Sequence, residues 1–297
     1  KYRGENFSQV VNDSILQTEF CGLCAPNPIG LAAGFDKNAR VHRFLGEAQG
    51  FGFVTVGSIT KLKYEGNPRP RIYDLPLNDG LINRMGFPGG GTDRAETRLK
   101  ADKRKREYML IINIAASKPS FERGTAIEDY RAAYAQMLPY GDGIEVNVSS
   151  PNTEGVRGLQ EPDVFKELAS EVKKIREASL FNLKPLGWKF GPDLPRDKRE
   201  KDIQIAIDHG ADFLTFTNTT TNQEIINSLL QESNKGEPGG YSGACLTTKA
   251  LEVNHEVWEY TGDSLPIKRA GGLMNVEDLW DGLTYGGATV GDFFASY

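Results

Sequence analysis

Eight short apolar runs, at 29–33, 53–56, 109–114, 144–148, 186–190, 213–216, 265–270 and 288–294, constrain the fold of this chain more than any other feature. Each is bounded by Gly, Pro or polar residues, the pattern of a strand buried on both faces. Between them lie segments with helical spacing, at 127–138, 163–178, 199–209, 248–260 and 276–285. Strand and helix in alternation imply a parallel sheet with crossover helices. Eight such strands in 297 residues predict an α/β fold closed into a (β/α)8 TIM barrel. An open doubly wound sheet is the competing architecture. It calls for a G-x-G-x-x-G after the first strand, and none follows 29–33.

Two stretches interrupt the alternation. Residues 66–85 contain Asn67-Pro68-Arg69-Pro70-Arg71 and two short apolar runs, and read as a hairpin inserted over the C-terminal mouth. Residues 223–240 are polar and end in Pro238-Gly239-Gly240, which predicts a long loop and a mobile lid. Gly89-Gly90-Gly91 lies away from any strand end and reads as a flexible loop, and Lys103-Arg104-Lys105-Arg106 as a solvated patch. Cys21-Gly22-Leu23-Cys24 lacks the second pair or strand-to-helix context of a metal or redox site, so two thiols in an N-terminal hairpin are expected. Three cysteines in a chain this long point to a reducing compartment. A net charge of −5 gives no reason to expect a nucleic-acid partner.

A barrel of this kind builds its active site at the C-terminal ends of its strands. The run Asn147-Val148-Ser149-Ser150-Pro151-Asn152-Thr153 stands at such an end and brings together a hydroxyl, two side-chain amides and a chain-turning proline. Asn83, Asn113, Asn147, Asn152 and Asn218 all fall at strand ends or mouth loops. Each amide offers a planar donor and acceptor pair, which suits a flat ring bearing C=O and N–H groups. For any one of them, a turn or helix cap is the simpler reading. Lys37 follows the first strand and Lys189 lies inside the fifth, where an ammonium pointing inward stabilises negative charge on a ligand. Gly271-Gly272 and Ser242-Gly243 stand where many barrels bind phosphate through backbone N–H groups. Ser150 is the candidate proton acceptor and needs a dry site. His42, His209 and His255 fall in helix-like segments, no G-x-S-x-G is present, and no Cys/His/Asp cluster has metal spacing.

The segments GLAAGFDKN (30–38), GNPRPR (66–71), LINRMGF (81–87), NVSSPNT (147–153), Pro192-Asp193-Leu194, TNTT (217–220) and GYSG (240–243) resemble dihydroorotate dehydrogenase in its class 2, quinone-linked branch. The resemblance runs from about Asn27 to Tyr297, and the segments are specific only together. Class 1 relatives carry Cys at the position of Ser150. The resemblance implies a barrel holding FMN at its mouth. The reaction it implies is oxidation of dihydroorotate to orotate in de novo pyrimidine synthesis, with hydride passing to FMN and a quinone as electron acceptor. By resemblance Ser150 takes a proton and Lys37 assists. Lys37, Asn83, Arg84, Met85, Gly86, Phe87, Asn147, Asn152, Asn218 and Thr219 match positions that hold substrate. Ala33, Gly34, Phe35, Asp36, Lys37, Ser58, Asn113, Asn147, Lys189 and Thr217 match flavin contacts. Gly243, Gly272, Phe294 and Ala295 match the phosphate end.

Departures from the family pattern are also present. The loop after Asn113 reads Ile114-Ala115-Ala116-Ser117-Lys118 rather than x-G-K-N-K, Lys268-Arg269 replace small apolar residues, Phe294 stands for Tyr and Asp74 for Arg. The two charges at 268 and 269 are expected to reach the phosphate or to destabilise the strand. Quinone-linked members carry an N-terminal helical, membrane-facing hairpin, whereas 26 residues precede Asn27 here. Residues 1–26 are therefore expected to be a remnant of that region, and 27–297 the FMN-binding barrel without its last helix. Membrane association, at the inner mitochondrial or bacterial cytoplasmic membrane, follows by resemblance alone. No apolar run approaches the ~18 residues of a spanning helix, so the chain as it stands is expected to be soluble. Two other readings stay open: an FMN barrel acting on another pyrimidine-like ring, and a degenerate flavin-binding barrel without turnover.

Overall fold

The computed structural model describes residues 13–181 and 183–293. Eight parallel strands close into a barrel in chain order: β1 Ile29–Leu31, β2 Phe53–Ile59, β3 Met109–Ile114, β4 Gly143–Asn147, β5 Leu186–Phe190, β6 Phe213–Phe216, β7 Ile267–Ala270 and β8 Val290–Phe293. The ring is sealed where Gly291 of β8 pairs with Ile29 of β1, so no strand edge is left open. The crossover helices are α1 Gly91–Ala101, α2 Ala126–Met137, α3 Pro162–Glu177, α4 Arg196–Asp208, α5 Thr247–Thr261 and α6 Val276–Thr284.

Local chemistry explains these elements. In α3, Pro162 occupies the first turn, where a missing N–H costs nothing. Phe165, Leu168, Ala169 and Val172 then fall on one buried stripe at helical spacing. Asn275 and Asp278 form a reciprocal capping box that starts α6. Strands β2 and β3 are buried along their whole length, as expected for a sheet walled by helices.

The N-terminal hairpin expected around the two thiols is present. Thr18–Phe20 pairs with Leu23–Ala25, and Cys21 and Gly22 between them have φ of 54° and 75°, as a tight hairpin turn requires. The hairpin drives Phe20 into the N-terminal end of the barrel, with its ring 5.5 Å from Phe53 and 5.1 Å from Phe213. Burying such a ring contributes roughly 1.5–3 kcal/mol. The hairpin thus plugs the end opposite the cleft.

The inserted hairpin over the mouth is Ile72–Leu75 with Gly80–Asn83, and the structure adds what local sequence does not show. Gly240–Gly243, from the connection after β6, pairs with Gly80–Asn83 as a third strand. Leu75, Ile82, Ile226 and Tyr241 form a small core of its own.

Several expectations are corrected. The segment predicted as a long polar loop holds a helix, Gln223–Ser228, whose first N–H groups are capped by Asn222, and ends in the third roof strand. It is tied down: Asn78 exchanges bonds with the Leu230 backbone and donates to the Glu232 carboxylate, and Asn234 donates to the Asp74 carbonyl at 3.0 Å. Gly89–Gly91 is no free loop. Gly89 bridges Tyr64, and Gly91, with φ of 80°, opens α1. Lys268 and Arg269 neither break β7 nor enter the cleft. Lys268 points into the barrel between two carboxylates, and Arg269 points outward to donate to the carbonyls of Asp278 and Thr247.

Candidate active site

A cleft enclosing about 1040 Å³ between its atoms, partly open to solvent, lies at the C-terminal mouth of the barrel. Its walls are assembled from distant parts of the chain. The end of β1 supplies Ala32, Ala33, Gly34 and Lys37, β2 supplies Ser58, and β4 with its loop supplies Asn147, Ser150 and Asn152. Lys189 comes from β5, Thr217, Asn218 and Thr219 follow β6, and Ala270 and Gly271 close β7. The roof contributes Ile72, Leu81, Asn83, Met85, Gly86 and Phe87, and Ser242 and Leu246 complete the rim.

Two ammonium groups face this space without a hydrogen-bonding partner among the described residues. Neither Lys37 nor Lys189 makes a hydrogen bond or salt bridge to any of the described residues, although both line the cleft. Burial, then the nearby Arg71 and Lys189, push the Lys37 ammonium down to about 8. Burial also lowers Lys189, and Glu145 opposes that shift. Lys37, which no carboxylate among the described residues pairs, and Lys189, which feels Glu145 only from behind the wall, mark a site built for negative charge on a ligand.

The asparagines form a connected set. Asn147 Nδ2 donates to Ser58 Oγ at 3.1 Å, and its Oδ1 accepts from the Ser149 N–H at 3.1 Å. Asn218 Nδ2 donates to Ser149 Oγ at 3.0 Å, and Asn152 Nδ2 to Asn83 Oδ1 at 3.0 Å. These bonds join β2, β4, the β6 loop and the roof, and hold the amides in place on the cleft wall. Ser150 Oγ accepts from the Asn152 N–H at 3.3 Å, and Ser150 is buried. Among the described residues, no histidine or carboxylate lies on the cleft wall. Thr219 Oγ1 is buried without a partner among the described residues.

Other residues singled out from the sequence lie beside the cleft or behind its wall. Asp36 is buried and accepts from the N–H groups of Arg40 at 2.8 Å and Val41 at 2.7 Å, which shapes the loop carrying Lys37. Phe35 is exposed. Arg84 turns away and clasps Glu237 at 3.1 Å and the Tyr73 ring. Asn113 lies inside the barrel, where Nδ2 donates to Glu145 at 2.5 Å and Oδ1 has no partner. A side chain at Gly243 would strike the Asp79 carbonyl at 2.3 Å, and one at Gly272 the Thr247 backbone at 2.4 Å, so both glycines are required by loop packing. Phe294 and Ala295 lie outside the described residues. None of the three histidines lines the cleft: His42 meets the Tyr108 hydroxyl, His209 its own helix, and His255 stacks on Tyr285.

Sequence reasoning missed Ile72, Leu81 and Leu246, which give the cleft apolar wall, and Asn67. Asn67 Nδ2 donates to the carbonyls of Arg84 at 3.0 Å and Asn152 at 2.9 Å and so fastens the roof to the Ser150 loop. Its signals were its place in a Pro-rich turn and in the GNPRPR segment at 66–71.

A flat, polar-edged ring system with an anionic tail fits this arrangement. The Lys189 ammonium and the Thr219 hydroxyl, neither hydrogen-bonded to a described residue, and the side-chain-free backbone at Gly34 and Gly271 are its complements. The family model described as dihydroorotate dehydrogenase matches residues 15–295. A dihydroorotate dehydrogenase (quinone) of Erythrobacter litoralis is 39% identical over 279 residues, spanning 94% of this chain and 78% of that one. One from Gloeobacter violaceus is 38% identical over 274 residues, spanning 92% and 74%. The crystal structure of a DHODH from Eimeria tenella in complex with ferulenol superposes with a TM-score of 0.88 at 29% identity, covering 99% of this chain and 81% of that one.

Proposed function

The chain belongs to the dihydroorotate dehydrogenase family, and from that premise we propose that it oxidises dihydroorotate to orotate, using FMN as hydride acceptor and a quinone as final oxidant. The observation that carries this reading is the convergence of the Ser150 hydroxyl and the Lys37 and Lys189 ammonium groups on one cleft. FMN supplies a ring that accepts two electrons and a proton equivalent as hydride.

The chain's own residues do the rest. Lys189, Ser58, Asn147 and Thr217 are placed to hold the flavin ring, with Ala33 and Gly34 giving backbone approach. Gly243 and Gly272, which keep the loops near β7 close-packed, are assigned to the phosphate end. The paired amides of Asn83 and Asn152 and of Asn147 and Asn218 are suited to the substrate's ring carbonyls and N–H groups. Lys37 is placed to neutralise its carboxylate. Ser150 takes the proton from the ring carbon beside the one that gives up hydride. Burial of Ser150 keeps bulk water from competing for that proton.

A quinone acceptor implies peripheral contact with the bilayer in which such oxidants dissolve. No helix among the described residues is long and apolar enough to cross a membrane. We assign residues 27–297 to the catalytic barrel and 1–26 to an accessory segment. The experiment is anaerobic spectroscopy. The purified protein is expected to be yellow and to bleach when dihydroorotate is added. Yellow protein that keeps its colour overturns the substrate assignment, and colourless protein that takes up no FMN overturns the flavin assignment.

A further inference from the structure

The interior of a closed eight-stranded barrel is ordinarily filled by branched apolar side chains. Here one region of it is ionic. Lys268 of β7 is fully buried, with Nζ 2.8 Å from Glu145 Oε2 of β4, 2.7 Å from Asp292 Oδ2 of β8 and 2.9 Å from Thr55 Oγ1 of β2. Glu145 also accepts from Asn113 of β3 and Thr215 of β6. Thr215 lies in register between Lys268 and Lys189. Two lysines and two carboxylates, neutral in sum, therefore share the core, and only Lys189 reaches the cleft. Space is reserved for them: a side chain at Gly30 would lie 2.1 Å from Asp292 Oδ1.

Stability gives no reason for this arrangement. A buried ion cluster gains little over apolar residues of similar volume, because desolvation cancels most of the attraction. Its effect is felt at Lys189, whose protonation is opposed by burial, favoured by Glu145, opposed by Lys268 and favoured by Asp292. Glu145 itself, which burial would raise, is held at about 2 by Lys268 and then Lys189. The cluster is thus a fixed set of charges behind the wall on which the flavin is assigned.

We propose that Lys268, Glu145 and Asp292 are positioning residues for the reaction: they set the field at the Lys189 ammonium and, through it, the reduction potential of the bound flavin. The proposal rests on the flavin reading above. Reduction gathers negative charge on the ring, so a positive charge removed from the core lowers the potential and a negative charge removed raises it.

The test is dye-equilibrated potentiometry of the flavin-loaded protein. Lys268→Met is expected to shift the oxidised-to-reduced equilibrium about tenfold against reduction, about 30 mV for a two-electron couple. Asp292→Asn, nearly the same shape, is expected to shift it by a similar factor the other way. The double variant restores charge balance and is expected to return to the parent potential, which a purely structural role does not predict. Single variants that leave the potential unchanged, or move it in the same direction, overturn the proposal. If Lys268→Met does not fold, Asp292→Asn decides alone: a raised potential supports the proposal and an unchanged one overturns it. Failure to take up flavin at all refutes the underlying reading instead, and is scored on the parent protein.

Discussion

Lys37 offers a quantitative test of how the site works. Its ammonium lines the cleft, has no counter-ion among the described residues, and is pushed down to about 8 by burial and by the nearby cations Arg71 and Lys189. The charged form prevails below that pH and is lost as pH rises through it. About nine-tenths of the group is therefore charged at pH 7 and about one-tenth at pH 9. An anion held by this charge should lose about tenfold in affinity across that interval, or about 1.4 kcal/mol. The assay is anaerobic titration of the flavin spectrum with orotate at a series of pH values, in the parent and in Lys37→Arg. Arginine stays charged throughout, so its profile reports only ionisation of the ligand and of other groups. The expected result is a parent curve that bends near pH 8 where the variant stays flat. A parent dissociation constant that is constant from pH 7 to 9, or two curves that bend together, refutes the assignment of Lys37 to the substrate's negative charge.

Two further predictions address the base and the scaffold. Ser150→Ala should retain flavin but slow its reduction by dihydroorotate roughly 10²–10⁴-fold in stopped flow, the usual contribution of a positioned base, and reduction at the parent rate would remove Ser150 from that role. Asp202 of α4 is fully buried, neither carboxylate oxygen has a partner among the described residues, and burial pushes it up to about 7. The folded state therefore favours the protonated acid, and the penalty for ionising it grows from about pH 4 and is complete above about pH 7, to a ceiling of about 4 kcal/mol. Asp202→Asn should raise the melting temperature at pH 8 and lose that advantage toward pH 4; a difference that does not vary with pH would contradict the buried-acid account.

The sequence carried the barrel and most of the cleft, for a common reason. Runs such as 109–114 are apolar on both faces because both faces are buried, and that is a local property of consecutive residues. Lys37, Asn147, Ser150, Lys189 and Asn218 follow from it, since strand ends in a closed parallel barrel converge on one rim. Even Cys21-Gly22 was legible, because a two-residue turn states its own geometry.

What escaped was set by partners distant in the chain. Gly240–Gly243 becomes a strand only because Gly80–Asn83 offers it an edge, and four residues of loop-like composition cannot announce that pairing. Gly91 opens a helix, rather than loosening a loop, because glycine tolerates the positive φ there and, lacking a Cβ, lets the backbone pass close to Lys61 and Lys63. Lys268 looked disruptive in its own strand and is neutralised by Glu145 and Asp292, which lie 123 residues before it and 24 after it. Patterning along the chain determined which elements exist and which of their ends face one another. Charge compensation and strand pairing across the barrel were decided only in three dimensions, because they depend on the distance between side chains rather than on their order.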